Sequence, residues 1–173
     1  MEFISTRGKD GPISFETALL NGLARDGGLY LPVSWPRFNL DEIRQMRDLS
    51  YSDLAGLIMS RFTDGEIDQV EMTSLARQSY ADFTHPDVAP LRPVAENIHI
   101  LELFHGPTIA FKDYAMQFLS RVFDRALTRQ NRTAVILGAT SGDTGSAALE
   151  AFKGRGSVDV FILFPNGRVS PVQ

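Results

Sequence analysis

The sequence predicts an α/β protein in two parts: a helical, mixed leading region, then the beginning of a domain built on a parallel sheet. Three observations predict it. From Ile98 to Phe164, apolar runs with strand character alternate with segments at helical spacing, an order that implies parallel pairing through right-handed crossovers. Ahead of that stretch, Pro86, Pro90 and Pro93 mark Thr84 to Val94 as a linker, and the parts are drawn as residues 1–92 and 93–173. Upstream of the prolines the pattern is helical and the extended pieces are brief.

The elements follow in order. Phe3 to Thr6 is a short extended start, and Gly8 to Pro12 a turn. Ser14 reads as the N-cap of a helix with Phe15, Ala18, Leu19 and Leu23 on one face. Asp26-Gly27-Gly28 stops it, and Leu29 to Pro32 is extended. Ser52 is expected to cap a helix carrying Leu54, Leu57, Ile58 and Phe62. After Asp64-Gly65, the next helix carries Ile67, Val70, Leu75 and Tyr80. Phe15, Tyr30, Trp35 and Phe62 are assigned to the core of this region. Beyond the linker, strands are expected at 98–104, 133–137 and 158–164, and helices at 113–127 and 144–153. Met116, Leu119, Val122 or Phe123, and Ala126 give the first of those helices its apolar face. Ser170-Pro171 announces a further helix that does not follow, so the sheet domain is expected to be incomplete.

Composition removes several function classes. Hydrophobic residues make up 43% of the 173 and charged residues 22%, as in folded soluble domains. The net charge of −4 gives no electrostatic reason for binding nucleic acid or an anionic membrane. With no cysteine there are no disulfides, thiolate nucleophiles or Cys-containing zinc sites, and the three histidines do not pair into a metal site. Neither a signal-peptide core nor an apolar run of membrane-spanning length is present, so a cytoplasmic protein is the expectation.

Two dense segments carry the chemistry. In Glu102 to Asp113 a single lysine, Lys112, follows Ile109, Ala110 and Phe111 at the start of a helix. Among such neighbours its ammonium form is expected to be poorly solvated, which lowers a lysine pKa and suits an amine that bonds an aldehyde. In Gly138 to Ser146 a strand runs through small residues into a helix N-terminus, the place where open α/β sheets bind ligands. Thr140, Ser141 and Thr144 supply hydroxyls there, Gly142 and Gly145 allow close backbone approach, and free amides suit a carboxylate or phosphate. Asp143 serves equally as a helix cap. The segment lacks the GxGxxG spacing and the glycine–lysine pair of a phosphate-binding loop, which disfavours a nucleotide site.

ELFHGPTIAFKDYAMQ (Glu102 to Gln117) together with ATSGDTGSAA (Ala139 to Ala148) strongly resembles threonine synthase, a pyridoxal-phosphate family of the tryptophan-synthase-β-like fold. STRG (Ser5 to Gly8), SFETALLNGLARDGGLYLP (Ser14 to Pro32), the Leu49-Ser50-Tyr51 helix entry and PNGRVSPVQ (Pro165 to Gln173) look like the same family. The resemblance covers essentially the whole chain, as the N-terminal portion of a much longer enzyme. It implies a three-layer cofactor domain in which Lys112 carries pyridoxal 5'-phosphate as a Schiff base and later moves protons between substrate carbons. It implies cofactor contacts from Phe111 and Asp143, and substrate contacts from Thr140, Ser141, Gly142, Asp143 and Thr144. His105 and Thr108 would support the lysine loop, and no metal is involved. The substrate implied is O-phosphohomoserine. In this family the loop that holds the cofactor phosphate, and the hydroxyl residue facing the pyridine nitrogen, lie downstream of the segments seen here. The chain alone is therefore expected to bind cofactor weakly and to form no threonine. A second reading shares these motifs, a related phospho-lyase acting on another phosphorylated amino acid; separately, residues 1–92 carry no constellation of acid, base and nucleophile and read as a non-catalytic interaction or lid module.

Overall fold

The computed structural model describes residues 1–140 and 142–170, in two compact units, Met1–Arg77 and Gln78–Gln173. In the first unit, strand β1 (Phe3–Ser5) pairs antiparallel with β2 (Tyr30–Pro32), setting Phe3 opposite Pro32. Helix α1 (Phe15–Asn21) starts where the Ser14 hydroxyl accepts from Thr17 N–H. The Glu66 carboxyl accepts from the next two free amides, those of Phe15 and Glu16, at 2.9 and 3.0 Å. Both sets of bonds satisfy donors that a helix start leaves open. Leu23 lies beyond the end of α1 and is exposed, so it takes no part in the expected face.

Helix α2 (Leu40–Gln45) has no counterpart in the expectations, although Asn39 and Glu42 form a capping box. Helix α3 (Tyr51–Ser60) is capped by Ser50, whose hydroxyl accepts from Asp53 N–H, and Ser52 lies inside the helix. In α4 (Gln69–Tyr80) the buried stripe is Met72 and Ala76, four residues apart, with Ile67 just before it. Val70 falls on the opposite side and is 82% exposed. Trp35 is also exposed, though its ring meets Phe62 edge-on at 6.1 Å.

Where α3 meets α4, a Cβ on Gly56 would lie 2.5 Å from Thr73 Cα. Backbone cannot swing aside as a side chain can, so the helices separate to admit a methyl group. Gly56→Ala is expected to cost about 2 kcal/mol, an ordinary overpacking penalty, read as a lower urea midpoint at unchanged slope.

In the second unit, β3 (Leu91–Ala95) and β4 (Ile98–Leu101) form an antiparallel hairpin with a bulge between Pro93 and Ala95. Two expectations are corrected here. The proline-rich segment becomes a strand from Leu91 onward, with Pro93 tolerated because a two-stranded ribbon leaves outward amides unpaired. The 98–104 strand is spent on this hairpin, so among the described residues the parallel sheet has two strands rather than three. These are β5 (Ala134–Ala139) and β6 (Val158–Leu163), in register from Ala134 opposite Val158 to Ala139 opposite Leu163.

Helices α5 (Asp113–Arg129) and α6 (Asp143–Phe152) pack against each other, and α6 packs against β6. Phe118, Val122, Ala126 and Leu127 are buried on α5; Ala147, Ala148, Ala151 and Phe152 are buried on α6. Fully burying a valine or leucine contributes about 1.5–3 kcal/mol, and the alanines let the helix axes approach. Leu119, expected on the buried face, is instead 38% exposed, and buried Gln117 and Ser120 take its place. Val135, Leu137, Phe161 and Leu163 leave one sheet face open. Among the described residues no helix is long and apolar enough to cross a membrane.

Candidate active site

The lysine segment is held by the residue that follows the lysine. Asp113 begins α5 with no exposed surface. One of its carboxyl oxygens accepts from Thr108 N–H at 2.8 Å, and the other accepts from the Thr108 hydroxyl at 2.6 Å. Gly106 lies against this carboxyl, close enough that a Cβ there would stand 2.5 Å from it. The chain between, Gly106 to Lys112, includes Ile109 at φ 63°, a left-handed conformation uncommon for a β-branched residue. Such a conformation persists where the surroundings over-determine it.

Two tyrosines secure the start of α5. The Tyr114 hydroxyl donates to Val88 O at 2.7 Å, and the Tyr80 hydroxyl donates to Tyr114 O at 3.2 Å. Phe83 fills the space between, 4.8 Å from the Tyr114 ring and 5.4 Å from that of Tyr80.

Lys112 occupies the cap position of α5 and is half-buried. Its Nζ lies 4.8 Å from the centre of the Phe111 ring and, among the described residues, has no hydrogen-bonding partner. The expected apolar shield is only partly there. Ala110 is buried, but Ile109 is 62% and Phe111 60% exposed, because the turn at Ile109 directs both outward.

On the near side of the loop, His105 Nε2 is 2.8 Å from Glu102 Oε2, and Arg92 Nε is 3.6 Å from Glu102 Oε1. Thr84 N–H donates to His105 O at 2.9 Å. The hydrogen bond from His105 holds the Glu102 carboxyl below its usual pKa against the opposing effect of burial, with Arg92 and His85 adding to the lowering. A lowered carboxyl pKa contributes stability that is complete above the unfolded-state value, about 4.3, and lost as pH falls through the folded value. Glu102→Gln is therefore expected to flatten the acid limb of the stability profile. Urea midpoints measured from pH 6 to pH 3 test this: the variant should lose less stability across that range than the parent.

The second segment opens at the carboxyl end of β5. Thr140 Oγ1 accepts from Gly142 N–H at 3.1 Å and Gly145 N–H at 3.2 Å, bracing the loop from within. Asp143 is the first residue of α6, and Gly142 occupies the cap position. Among the described residues the Thr144 hydroxyl has no partner. Ser141 lies outside the described residues. Beside the loop is a cavity of about 280 Å³, lined in part by Thr140, Gly142, Ser146, Leu149, Ile162 and Phe164.

The topology brings the two segments to one end of the sheet. Short connections turn the chain from α5 into β5 and from β5 into α6, so each helix runs against the strands. Phe123 and Phe152 meet edge-on at 6.2 Å, and Ser157 donates to Asp124, aligning the C-terminal parts of both helices. At 1.5 Å per residue, Lys112 stands about 16 Å above that contact on α5, and Asp143 about 13 Å above it on α6. Both N-termini therefore reach the rim at the strands' carboxyl ends, where ligands of open α/β sheets bind.

Glu102 and Asp113 were not singled out by the sequence reading. Glu102 carries a signal in its three-residue spacing to His105. Asp113 carries less, because adjacency to the lysine does not disclose a bond back to Thr108. His85 lies 5.0 Å, ring to ring, from His105, while His99 is exposed on β4. Arg7 is exposed, with Nη1 donating to Asp26 O at 3.0 Å. Among the described residues no cluster of three or more His, Cys, Asp or Glu side chains could hold a metal ion.

Comparison with known proteins decides the family. Residues 2–80 match the family model described as the threonine synthase N terminus. All 173 residues align at 49% identity with threonine synthase of Pseudomonas aeruginosa. The chain belongs to the threonine synthase family. Its fold matches PLP-bound threonine synthase from Brucella melitensis with a TM-score of 0.96 and 52% identity, over 99% of this chain and 37% of that one. Threonine synthase from yeast matches with a TM-score of 0.92 and 42% identity, over 98% of this chain and 36% of that one. The Pseudomonas relative is likewise covered over 37% of its own length, so the chain spans a little over a third of the family members it matches.

Proposed function

We propose that this chain contributes the lysine-bearing part of a threonine synthase that converts O-phospho-L-homoserine and water to L-threonine and phosphate. The carrying observation is Lys112: an amine without a hydrogen-bonding partner among the described residues, on a braced loop at the ligand-binding end of the sheet. That donor set fits pyridoxal 5'-phosphate. Lys112 would bond the aldehyde, and the exposed Phe111 ring beside it would flank a planar heterocycle. When bound, the cofactor supplies an electron sink for negative charge developing on substrate carbon.

The chain's own residues do the remaining work. Once the substrate's own amine has displaced it from the aldehyde, Lys112 Nζ would be free to accept a proton from one substrate carbon and return it to another, which requires the amine to be within reach of both. Thr140 braces the loop through the Gly142 and Gly145 amides, and the substrate carboxylate is assigned to the 140–144 segment, where the Thr144 hydroxyl has no partner among the described residues. Asp143 would lie beside the polar edge of the cofactor. His105 and Thr108 support the lysine loop. The leading region, drawn as residues 1–92, is assigned no catalytic group.

The test is turnover by the full-length protein. Threonine and inorganic phosphate should appear in equal amounts from O-phosphohomoserine when pyridoxal 5'-phosphate is present. Phosphate release without threonine would point to a related phospho-lyase instead.

A further inference from the structure

Asp113 is a buried ionisable residue that the proposed chemistry does not use. Burying a polar group is costly unless its hydrogen bonds are made, and Asp113 makes both of its Thr108 bonds across five residues of sequence. The loop so closed begins at Gly106, whose missing Cβ gives the carboxyl its space, passes through Ile109 at positive φ, and ends on Lys112. Lys112 has no comparable anchor: its cap position carries no side-chain hydrogen bond, and its Nζ, 4.8 Å from the centre of the Phe111 ring, has no hydrogen-bonding partner among the described residues. Whatever fixes the direction of the lysine must therefore act through the backbone.

We infer that Asp113 is a positioning residue for Lys112: its paired bonds to Thr108 hold the Gly106–Phe111 loop in the one conformation that presents the amine to the aldehyde of the cofactor. The inference rests on the reading of Lys112 proposed above. Asp113 is fully buried, so it acts through Thr108 and not on the reacting atoms. It limits the loop's freedom before the amine reacts, and preorganisation of this kind shows in the rate of capture.

The experiment follows capture of pyridoxal 5'-phosphate by cofactor-free full-length protein, read as the rise of the bound cofactor's absorbance. It is run at a temperature where circular dichroism shows each variant folded. Asp113→Asn keeps the shape but turns one acceptor into a donor. Thr108→Val removes the hydroxyl and keeps the amide, a milder change if the first variant folds poorly. Each is expected to slow capture about tenfold, the effect of one lost buried hydrogen bond, and Thr108→Ser, which retains both donors, is expected to restore the parent rate. Unchanged capture in both folded variants would overturn the inference, as would losses that simply track loss of the folded signal. Should the parent itself fail to capture cofactor through Lys112, the site reading falls and the inference falls with it. Capture by the parent separates that outcome from failure of the positioning role alone.

Discussion

Lys112→Ala in the full-length protein is expected to lower threonine formation by about four orders of magnitude, the loss typical when one group serves as both covalent anchor and proton carrier. Alanine has no amine to bond an aldehyde and none to move a proton, and nothing else described at this position offers one. The chain has only two other lysines, Lys9 and Lys153. Lys153 is exposed just after α6, 3.5 Å from Glu150, at the opposite end of that helix from the candidate loop. Lys153→Ala is the matched control and is expected to leave turnover within twofold of the parent, as for a surface change remote from the site. Steady-state assays of threonine and phosphate on both variants check the pair. Comparable losses in the two would mean that lysine removal acts through solubility or folding.

Gly106→Ala is expected to have the largest effect on stability, about 3 kcal/mol, combining overpacking with the disturbance of a buried hydrogen-bonded group. An added Cβ at 2.5 Å from the Asp113 carboxyl cannot be accommodated while that carboxyl keeps both bonds to Thr108. Either the loop lifts or the carboxyl loses a donor inside the protein. Urea unfolding should show the shift, and cofactor capture should slow along with it. A variant as stable as the parent would mean that the Gly106 turn has more room than the structure gives it.

The sequence made the chemistry-bearing segments easier to find than the architecture around them. Lys112 and the 140–144 loop stand out because glycine, hydroxyl and lysine residues are concentrated where a strand gives way to a helix. Helices α5 and α6 were legible for the ordinary reason of helical spacing, and the observed bounds extend or shift the expected ones by only one or two residues. The hairpin of β3 and β4 was not. An apolar strand looks the same whether its partner is parallel or antiparallel, and three nearby prolines masked the strand beginning at Leu91. Helix α2 was missed because six residues give too little periodicity to detect. The Ser50 cap was displaced in favour of Ser52 because two serines two residues apart satisfy the same local rule. Burial of Lys112 was overestimated for a further reason: sequence shows that Ile109 and Phe111 are apolar, but the positive φ at Ile109 decides which way they face.

The most direct test of the account is borohydride reduction of the full-length protein after incubation with pyridoxal 5'-phosphate, followed by peptide mapping. A single major modified peptide is expected, the one containing Phe111, Lys112 and Asp113. Modification concentrated on another lysine, with Lys112 untouched, would contradict it.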